Sequence, residues 1–320
     1  MPPKATISPQ TTTEHRRRSS LSAVAPAQRD PLPVNLLKTA RPRQWVKNLL
    51  VFAAPGAGGV LSHGSALART VVAFVAFCLA ASGSYFLNDA SDAAADRLHP
   101  KKMHRPVAAG RVTVPIARAA GIGLIVASFG VSLVLRDWRF LVIIGMYLAL
   151  TISYTLWLKR IEVIDLVVVA SGFIIRALAG GVATGIPISR WFIIVTSFGS
   201  LFVVASRRHA EHLDLGESRN EHRTTLGRYS TTYLGYVRGV TSAIAISAYC
   251  LWAFERSSPT THVSWFELSI APFVVAMLRY ALLVDSGEGG APEELMLRDR
   301  GMQISILVWL VLVVLGIYLP

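Results

Sequence analysis

Long apolar runs alternate with short polar stretches over most of the chain. From residue 44 onward, each run is close to the roughly 20 residues that an α-helix needs to cross a bilayer. The first run is the least regular, because Lys47, Asn48, Pro55 and three glycines interrupt it. The pattern predicts an all-α, polytopic membrane protein with nine transmembrane helices. The predicted segments are 44–62, 67–88, 113–135, 138–158, 162–185, 190–206, 234–254, 263–284 and 302–319.

Composition supports a membrane protein and divides the chain in two. Hydrophobic residues make up 52% of the sequence and charged residues 16%, with a mean hydropathy of +0.48, whereas soluble domains carry about 25% charged residues. Residues 1–35 are rich in Ser, Thr, Pro and Ala and contain three consecutive arginines. We expect 1–35 to be a disordered cytoplasmic tail and 36–320 to form one transmembrane domain.

The basic residues lie unevenly between the predicted loops. If the N-terminus is cytoplasmic, 23 Lys and Arg residues fall in inside segments and 5 in outside loops. Cytoplasmic loops of membrane proteins carry such an excess, so we predict a multi-pass protein of the bacterial plasma membrane with a cytoplasmic N-terminus. The net charge of +13 is explained by these short loops between apolar runs, and a nucleic-acid partner is therefore excluded.

Four polar side chains crowd the end of the second predicted span. Asn88, Asp89, Asp92 and Asp96 follow one another at helical spacing, which puts the three carboxylates on one helix face. Like charges on one face repel each other, and Mg²⁺, which prefers carboxylate oxygens, would offset the repulsion. We predict that the three aspartates are catalytic metal ligands and that Asn88 contacts the substrate.

A basic stretch follows the acids directly. Residues 97–106 include Lys102 and Arg105, which are predicted to neutralise the phosphate oxygens of a diphosphate whose metal the acids hold. The alternative is a solvated helix end followed by an ordinary positive cytoplasmic loop. That alternative leaves unexplained why three acids share one face beside a membrane.

The sequence from Asn88 to Pro106 reads NDxxDxxxD followed by HPxKxxRP. It resembles the first signature of the UbiA family of intramembrane prenyltransferases, and the resemblance extends over about residues 36–320. It implies nine helices bundled around a central cavity, an active site at the cytoplasmic face and a Mg²⁺-dependent diphosphate donor. It leaves self-association open, since proteins with this fold can form homo-oligomers.

Three details resemble one branch of this family. They are the PRQWVKN opening at residues 42–48, the HPxKxxRP continuation and the RRxAE sequence from Arg207 to Glu211. Members of this branch transfer 5-phosphoribose from phosphoribosyl pyrophosphate to decaprenyl or another polyprenyl phosphate, for cell-wall arabinan synthesis. Two alternatives remain: prenyl transfer to an aromatic acceptor, and a membrane transporter without chemistry.

Four further residues are candidates for phosphate binding, each with a second interpretation. Lys47 is a phosphate contact or an interfacial anchor. In the family a Tyr and a Lys after the fourth span hold donor phosphates; Tyr154 and Lys159 resemble them, although their spacing is one residue longer than usual. Arg176, in the middle of a predicted span, either meets a lipid phosphate in the cavity or forms a structural pair.

The predicted loop 206–235 occupies the place of the family's second acidic motif. It carries Arg207, Arg208 and Glu211, where the family usually has aspartate pairs for a second metal ion. Arg223 and Tyr229, together with Arg228, could complete an anion pocket, and the alternative is a solvated loop.

Two acidic residues follow Lys159 and Arg160 at the start of the predicted segment 162–185. We expect Glu162 and Asp165 to form ion pairs with the adjacent Lys159 and Arg160.

Overall fold

The computed structural model describes residues 30–100, 102–215, 228–257, 263–288 and 292–319. Within these ranges the protein is helical and contains no β-strand. The α-helices are α1 (Leu32–Ala40), α2 (Ala53–Ala57), α3 (Gly64–Ser91), α4 (Ala93–Leu98), α5 (Val114–Leu133), α6 (Trp138–Leu156), α7 (Ile164–Thr184), α8 (Arg190–Leu215), α9 (Thr231–Arg256), α10 (Trp265–Leu268), α11 (Ile270–Asp285), α12 (Pro292–Arg298) and α13 (Arg300–Tyr318). Short 3-10 helices are Pro42–Phe52, Val60–Ser62, Lys102–His104 and Leu158–Arg160.

Among the described residues, eight helical segments are long and apolar enough to cross a membrane. They are α3, α5, α6, α7, α8, α9, the continuous stretch of α10 and α11, and α13. These eight coincide with the second to ninth predicted segments. The prediction of an all-α, multi-pass membrane protein is therefore confirmed.

The first predicted segment, 44–62, has a different structure. It consists of the 3-10 helix Pro42–Phe52, the short helix α2 and the 3-10 helix Val60–Ser62. Pro55 lies inside α2, and Gly59 has a φ of +70°, a conformation that favours glycine. This part of the chain is a series of short helices rather than one straight span.

The predicted boundary of the N-terminal tail also changes. Helix α1 begins at Leu32, inside the range 1–35 that was assigned to the tail, and it buries Asn35 and Thr39. Residues 1–29 lie outside the part of the chain that is described, so the disorder expected there stays a prediction.

Polar side chains mark where several helices begin. The side chains of Thr113, Asp137, Ser230 and Asp299 accept hydrogen bonds from backbone N–H groups in the first turns of α5, α6, α9 and α13. Such caps satisfy N–H groups that have no partner within the helix. They explain why these spans begin at these residues.

The packed centre of the N-terminal half lies between α3, α6 and α7. Phe77, Phe140, Ile144 and Tyr147 are all buried there. The ring of Phe77 contacts those of Phe140 and Tyr147, at centroid distances of 6.2 and 5.2 Å. This contact fixes the positions of α3 and α6 relative to each other.

Two glycine positions allow helices to approach very closely. A Cβ on Gly83 of α3 would lie 2.8 Å from the carbonyl oxygen of Gly121 on α5. A Cβ on Gly180 of α7 would lie 1.7 Å from the carbonyl oxygen of Val51. Small residues at helix contacts are typical of membrane bundles, and here they hold the first 3-10 helix against α7.

Arg69 joins three helix ends at one end of the bundle. Its Nε donates to the carbonyl of Ala183, at the end of α7 (2.5 Å), and its Nη2 donates to that of Leu135, just beyond α5 (3.1 Å). A cation is favourable at helix C-termini, where carbonyls lack partners. Since α3 starts near Arg69, its other end, with the acidic motif, lies at the opposite end of the bundle.

Candidate active site

The acidic motif spans a helix junction. Helix α3 ends at Ser91, Asp92 occupies the junction with φ −89° and ψ 3°, and α4 continues from Ala93. Backbone hydrogen bonds still run from the Asp92 N–H to the Asn88 carbonyl and from the Asp96 N–H to the Asp92 carbonyl. Helical spacing is thus kept locally, although the continuous helix that was expected is interrupted.

Two arginines pair with the buried acids of this motif. Asp89 and Asp96 are only 2% and 3% exposed. Arg41 Nη2 lies 2.6 Å from Asp89 Oδ1, and Arg105 Nη1 lies 3.3 Å from the same oxygen and 2.8 Å from Asp96 Oδ2. The guanidinium groups balance two carboxylates that would otherwise be costly to bury.

The other predicted residues of the motif are more accessible. Asn88, Asp92 and Lys102 are half-buried, and Asp92 forms no ion pair with the residues that the structure describes. The backbone N–H of Lys102 contacts His99 Nδ1 at 3.4 Å. Asp92 is therefore the acid of this motif whose charge is available for a ligand.

The three aspartates do not form a ready three-ligand metal site among the described residues, so their role as metal ligands stays a prediction. No three His, Cys, Asp or Glu side chains in the described ranges lie close enough to hold a metal ion together. Arg41 and Arg105 pair with Asp89 and Asp96, while Asp92 sits at the junction. The donor chemistry still suits a hard cation, since each acid offers carboxylate oxygens.

A second polar cluster joins α6, α7 and α8. Asp165 is completely buried and pairs with Arg208, whose Nε lies 3.4 Å from its Oδ2. Arg208 also pairs with Glu211 at 2.7 Å and donates to the Tyr154 hydroxyl at 3.3 Å. The Tyr229 hydroxyl donates to Asp165 Oδ1. The structure thus brings together Tyr154, Arg208, Glu211 and Tyr229 from the predicted set.

The ion pairs of the two acids on this side differ from the expectation. Asp165 pairs with Arg208, and Glu162 pairs with Arg228, rather than with the neighbouring Lys159 and Arg160 as predicted. The pKa of Glu162 is lowered, first by a backbone hydrogen bond of its own residue and then by Arg228. These contacts join the start of α7 to the residues that precede α9.

Tyr229 belongs to the polar cluster around Asp165 rather than to an open anion pocket. It is 4% exposed, and its hydroxyl also accepts a hydrogen bond from the Val163 N–H at 2.6 Å. Burial, and then the hydrogen bond to Asp165, raise the pKa of its phenol. Arg223, the third member of the predicted pocket, lies outside the described residues.

Arg176 is buried among protein partners. Its Nε donates to Asn48 Oδ1 at 2.7 Å, its Nη1 to the Gly172 carbonyl at 2.7 Å, and its Nη2 to the Tyr147 hydroxyl at 2.8 Å. The guanidinium also lies 4.6 Å from the centre of the Tyr147 ring. All three nitrogens have partners, which supports the structural alternative left open by the sequence.

The remaining predicted cations lie on three separate helical segments. Lys47 on the first 3-10 helix and Lys159 after α6 are half-buried, and each has a polar partner. Arg207 is exposed on α8 and pairs with Glu211 at 3.3 Å. Because Arg69 near the start of α3 contacts Ala183 at the end of α7, the end of α3 with the acidic motif and the start of α7 with the Asp165 cluster lie at the same end of the bundle.

Sequence reasoning missed one direct contact of the acidic motif. Arg41 directly precedes the PRQWVKN stretch and was not among the predicted site residues, but its guanidinium binds Asp89 from 48 positions away. A second missed cluster joins α8, α9 and α11, where Arg238 Nη1 and His209 Nε2 both contact Asp285 Oδ1, at 2.6 and 3.2 Å. Spacing along the chain carries no signal for either contact.

A separate open groove of about 540 Å³ lies between α6 and α7. Its lining is mostly apolar and contains two hydroxyl groups, from Ser153 and Ser171. With no charged side chain in its lining, the groove does not suit a diphosphate, and the acidic motif remains the candidate site.

Comparison with known proteins identifies the family. A model of the UbiA prenyltransferase family matches residues 49–317. The chain belongs to the UbiA family. The resemblance seen in the acidic motif is therefore confirmed over most of the protein.

Two relatives within this family are similar along nearly their whole length. The decaprenyl-phosphate phosphoribosyltransferase of Corynebacterium glutamicum is 42% identical over 288 residues, covering 89% of this chain and 87% of the relative. The protein of the same name from Mycobacterium tuberculosis is 44% identical over 284 residues, covering 87% and 93%.

The fold also matches that of solved family members. A UbiA homologue from Archaeoglobus fulgidus, solved with GPP and Mg²⁺ bound, superposes with a TM-score of 0.66 at 15% identity, covering 88% of this chain and 98% of the homologue. At this identity the match establishes the fold, and it agrees with the UbiA-type helical bundle expected from the sequence.

Proposed function

We propose that this protein transfers 5-phosphoribose from phosphoribosyl pyrophosphate to decaprenyl phosphate or a similar polyprenyl phosphate, releasing diphosphate. The observation that carries this proposal is the 42–44% identity to two decaprenyl-phosphate phosphoribosyltransferases over most of each chain. The lipid acceptor and the phosphoribosyl group follow from this relationship, while phosphoribosyl pyrophosphate as donor and the cell-wall role are what the family resemblance in the sequence implies.

The charges of the site are consistent with such a substrate pair. Arg41 and Arg105 lie directly at the acids, and the exposed Arg207 lies at the same end of the bundle. A donor with a diphosphate and a 5-phosphate, together with a phosphorylated acceptor, brings more negative charge than a prenyl diphosphate and a phenol. Additional guanidinium groups suit that charge.

Asp89, Asp92 and Asp96 are the residues that would hold Mg²⁺ on the donor diphosphate. When bound, the ion would help to neutralise the charge of the leaving diphosphate. Lys102 and Arg105 would pair with the remaining diphosphate oxygens, and Asn88 would contact the donor. Asp92 carries the clearest role, because its carboxylate has no ion pair within the described part of the chain.

The proposed reaction is a displacement at the anomeric carbon. The bond from this carbon to the diphosphate oxygen breaks, and diphosphate leaves with the electron pair, through an oxocarbenium-like transition state. A phosphate oxygen of the acceptor lipid forms the new bond from the opposite face and inverts the centre. The acceptor oxygen is already anionic at neutral pH, so no general base is required.

We also propose that the N-terminus and the site face the cytoplasm, in the plasma membrane. The excess of basic residues in the loops on this side supports this orientation. A water-soluble donor made in the cytoplasm would then reach the acidic motif directly, while the lipid acceptor enters from the bilayer.

A donor assay tests the proposed activity. Purified protein in detergent is mixed with Mg²⁺, polyprenyl phosphate and radiolabelled phosphoribosyl pyrophosphate, with and without EDTA. We expect label to enter the organic phase only without EDTA. If no label moves while a parallel reaction transfers a prenyl group to an aromatic acceptor, the aromatic alternative is correct. If neither reaction occurs, a transporter role gains support.

Asp92→Asn tests the assignment of the acid. We expect phosphoribosyl transfer to fall by about a hundredfold or more, equivalent to roughly 2.7 kcal/mol in the barrier, with unchanged thermal stability because Asp92 has no ion pair to lose. Asp137→Asn is the matched control, since Asp137 caps α6 at the other end of the bundle and asparagine is an equally good cap. Full turnover by Asp92→Asn at saturating Mg²⁺ would remove Asp92 from the site.

A further inference from the structure

Arg41 has an unusual backbone conformation at the junction between α1 and the first 3-10 helix. Its φ and ψ are 56° and 60°, in the left-handed region that residues with a side chain rarely adopt. Such a conformation is strained and persists only where the surrounding contacts impose it. The contacts of Arg41 therefore indicate why the chain turns in this way.

Hydrogen bonds attach both sides of this junction to α3. The Ser82 hydroxyl donates to the Ala40 carbonyl, and Trp45 Nε1 donates to the Ser82 oxygen, each at 3.0 Å. Ser82 and Asp89 lie seven positions apart on α3, so they share a helix face. The junction is thus fixed to the same face of α3 that carries the acid.

The Arg41 side chain lies along that face of α3 and contacts two of its residues, Tyr85 and Asp89. Its guanidinium carbon lies 4.8 Å from the centre of the Tyr85 ring, a cation–π contact. Its Nη2 then reaches Asp89 Oδ1 at 2.6 Å. Stacking on the ring and pairing with the carboxylate together restrict the guanidinium to one place.

Both arginines at Asp89 bind the same oxygen. Arg41 and Arg105 contact Oδ1, whereas no hydrogen bond from the described residues reaches Oδ2. Oδ2 lacks such a partner without being fully buried. The carboxylate is thus held through one oxygen and presents the other.

We propose that Arg41 is a positioning residue for Asp89. By holding Oδ1 it fixes the orientation of the carboxylate and directs Oδ2 toward a divalent cation. The inference rests on the proposed function in that Asp89 is taken as a ligand of the donor-bound metal. Groups that hold a metal-binding carboxylate commonly change metal affinity or activity 10–100-fold when they are removed.

Metal binding in the absence of donor tests this role. Mn²⁺ replaces Mg²⁺ as the probe, and free Mn²⁺ is measured by electron paramagnetic resonance with purified wild-type, Arg41→Gln, Arg41→Lys and Arg43→Gln proteins. We expect the Mn²⁺ Kd to rise about 10–100-fold in Arg41→Gln and to recover partly in Arg41→Lys. The exposed neighbour Arg43 is the matched control, and its variant should bind like the wild type.

The direction of the change in Mn²⁺ affinity distinguishes a positioning role of Arg41 from a purely electrostatic one. Removing a cation near the site would by itself strengthen Mn²⁺ binding through Coulomb attraction. Tighter or unchanged binding in Arg41→Gln would therefore overturn the proposal, as would a wild-type protein that binds no Mn²⁺ at millimolar concentration.

A third variant separates the side chain from the backbone. Arg41→Gly accepts the left-handed conformation without cost but lacks the guanidinium, so it should lose Mn²⁺ affinity as Arg41→Gln does while remaining folded. Wild-type affinity in Arg41→Gly would refute the role of the side chain.

The outcome is also distinguishable from that of the donor assay. Weaker Mn²⁺ binding combined with no phosphoribosyl transfer would uphold the positioning role and refute only the substrate. In an active enzyme, Arg41→Gln should lower kcat and raise the metal concentration needed, with an unchanged KM for the lipid acceptor.

Discussion

Buried charged side chains in this protein are satisfied by partners that lie far away in the sequence. Asp165 meets Arg208 across 43 positions, and Arg176 meets Asn48 across 128. An isolated charge within a membrane bundle is expensive, and pairing or hydrogen bonding offsets that cost. The ionisable residues inside the spans therefore fall into two groups. One group holds the helices together through buried pairs, and the other belongs to the candidate active site.

Asp165→Asn tests the group that holds the helices together. The change removes the ion pair to Arg208 and weakens the hydrogen bond from Tyr229, so we expect a loss of about 3 kcal/mol, at the low end for a buried pair because Glu211 still contacts Arg208. Thermal unfolding in detergent measures it.

Tyr229→Phe is the matched control for this prediction. It removes only a hydroxyl group from the same cluster, and we expect it to cost about 1 kcal/mol. If Asp165→Asn kept full thermal stability but lost activity, Asp165 would belong to the substrate site instead.

For individual residues, the sequence predicted which side chains are important, but it predicted their contacts less well. Three acids and Arg105 within 17 positions predicted a charged cluster, and the structure joins Asp89, Asp96 and Arg105. The contact of Arg41 could not be predicted, because it depends on a left-handed residue and on α1 folding back onto α3. Likewise, the sequence left Arg176 open between a cavity role and a structural one, and its contacts with Asn48 and Tyr147 support the structural role.

Close backbone approach governs how the elements pack. Gly180 is the clearest case, since the Val51 carbonyl occupies the space that a side chain would need. Glycine to alanine in a helix normally stabilises by reducing the freedom of the unfolded chain. Here the steric effect has the opposite sign and dominates.

Gly180→Ala should therefore destabilise the protein and separate α7 from the first 3-10 helix. We expect a lower thermal midpoint in detergent and reduced activity, because Asn48 on that 3-10 helix also holds Arg176. Gly123→Ala is the control, as nothing lies within 4 Å of its added Cβ. Equal stability of the two variants would contradict the packing that we describe.

The sequence predicted the spans well where apolar runs were uninterrupted. Predicted segments 113–135 and 138–158 correspond to α5 and α6 within two residues at each end. The segment 190–206 was too short, because hydropathy falls at Arg207 while α8 continues to Leu215. The first segment failed for another reason: a 3-10 helix and α2 are held there by packing against α3 and α7, which local hydropathy does not reveal.

For the whole molecule, the two ends of the bundle differ in chemistry. The acidic motif and the Asp165 cluster share one end, while Arg69 closes the other through backbone carbonyls. The sequence predicts that the end with the acidic motif faces the cytoplasm, and this orientation stays a prediction.

The proposed orientation can be measured with two histidine positions. In a protein whose Cys78 and Cys250 are replaced by serine, His63→Cys and His104→Cys place single thiols at exposed positions at opposite ends. We expect a membrane-impermeant maleimide added to intact cells to label position 63 and to reach position 104 only after lysis. The reverse pattern would invert the topology.

The contact between Val51 and Gly180 also sets an order in time. These residues are separated by about 130 positions, so at 5–20 residues per second the ribosome adds α7 roughly 6–26 s after the first 3-10 helix. During that interval the first 3-10 helix lacks α7, against which it packs in the folded protein. The first 3-10 helix thus reaches its final place only after α7, the fourth of the eight long apolar spans, has been made.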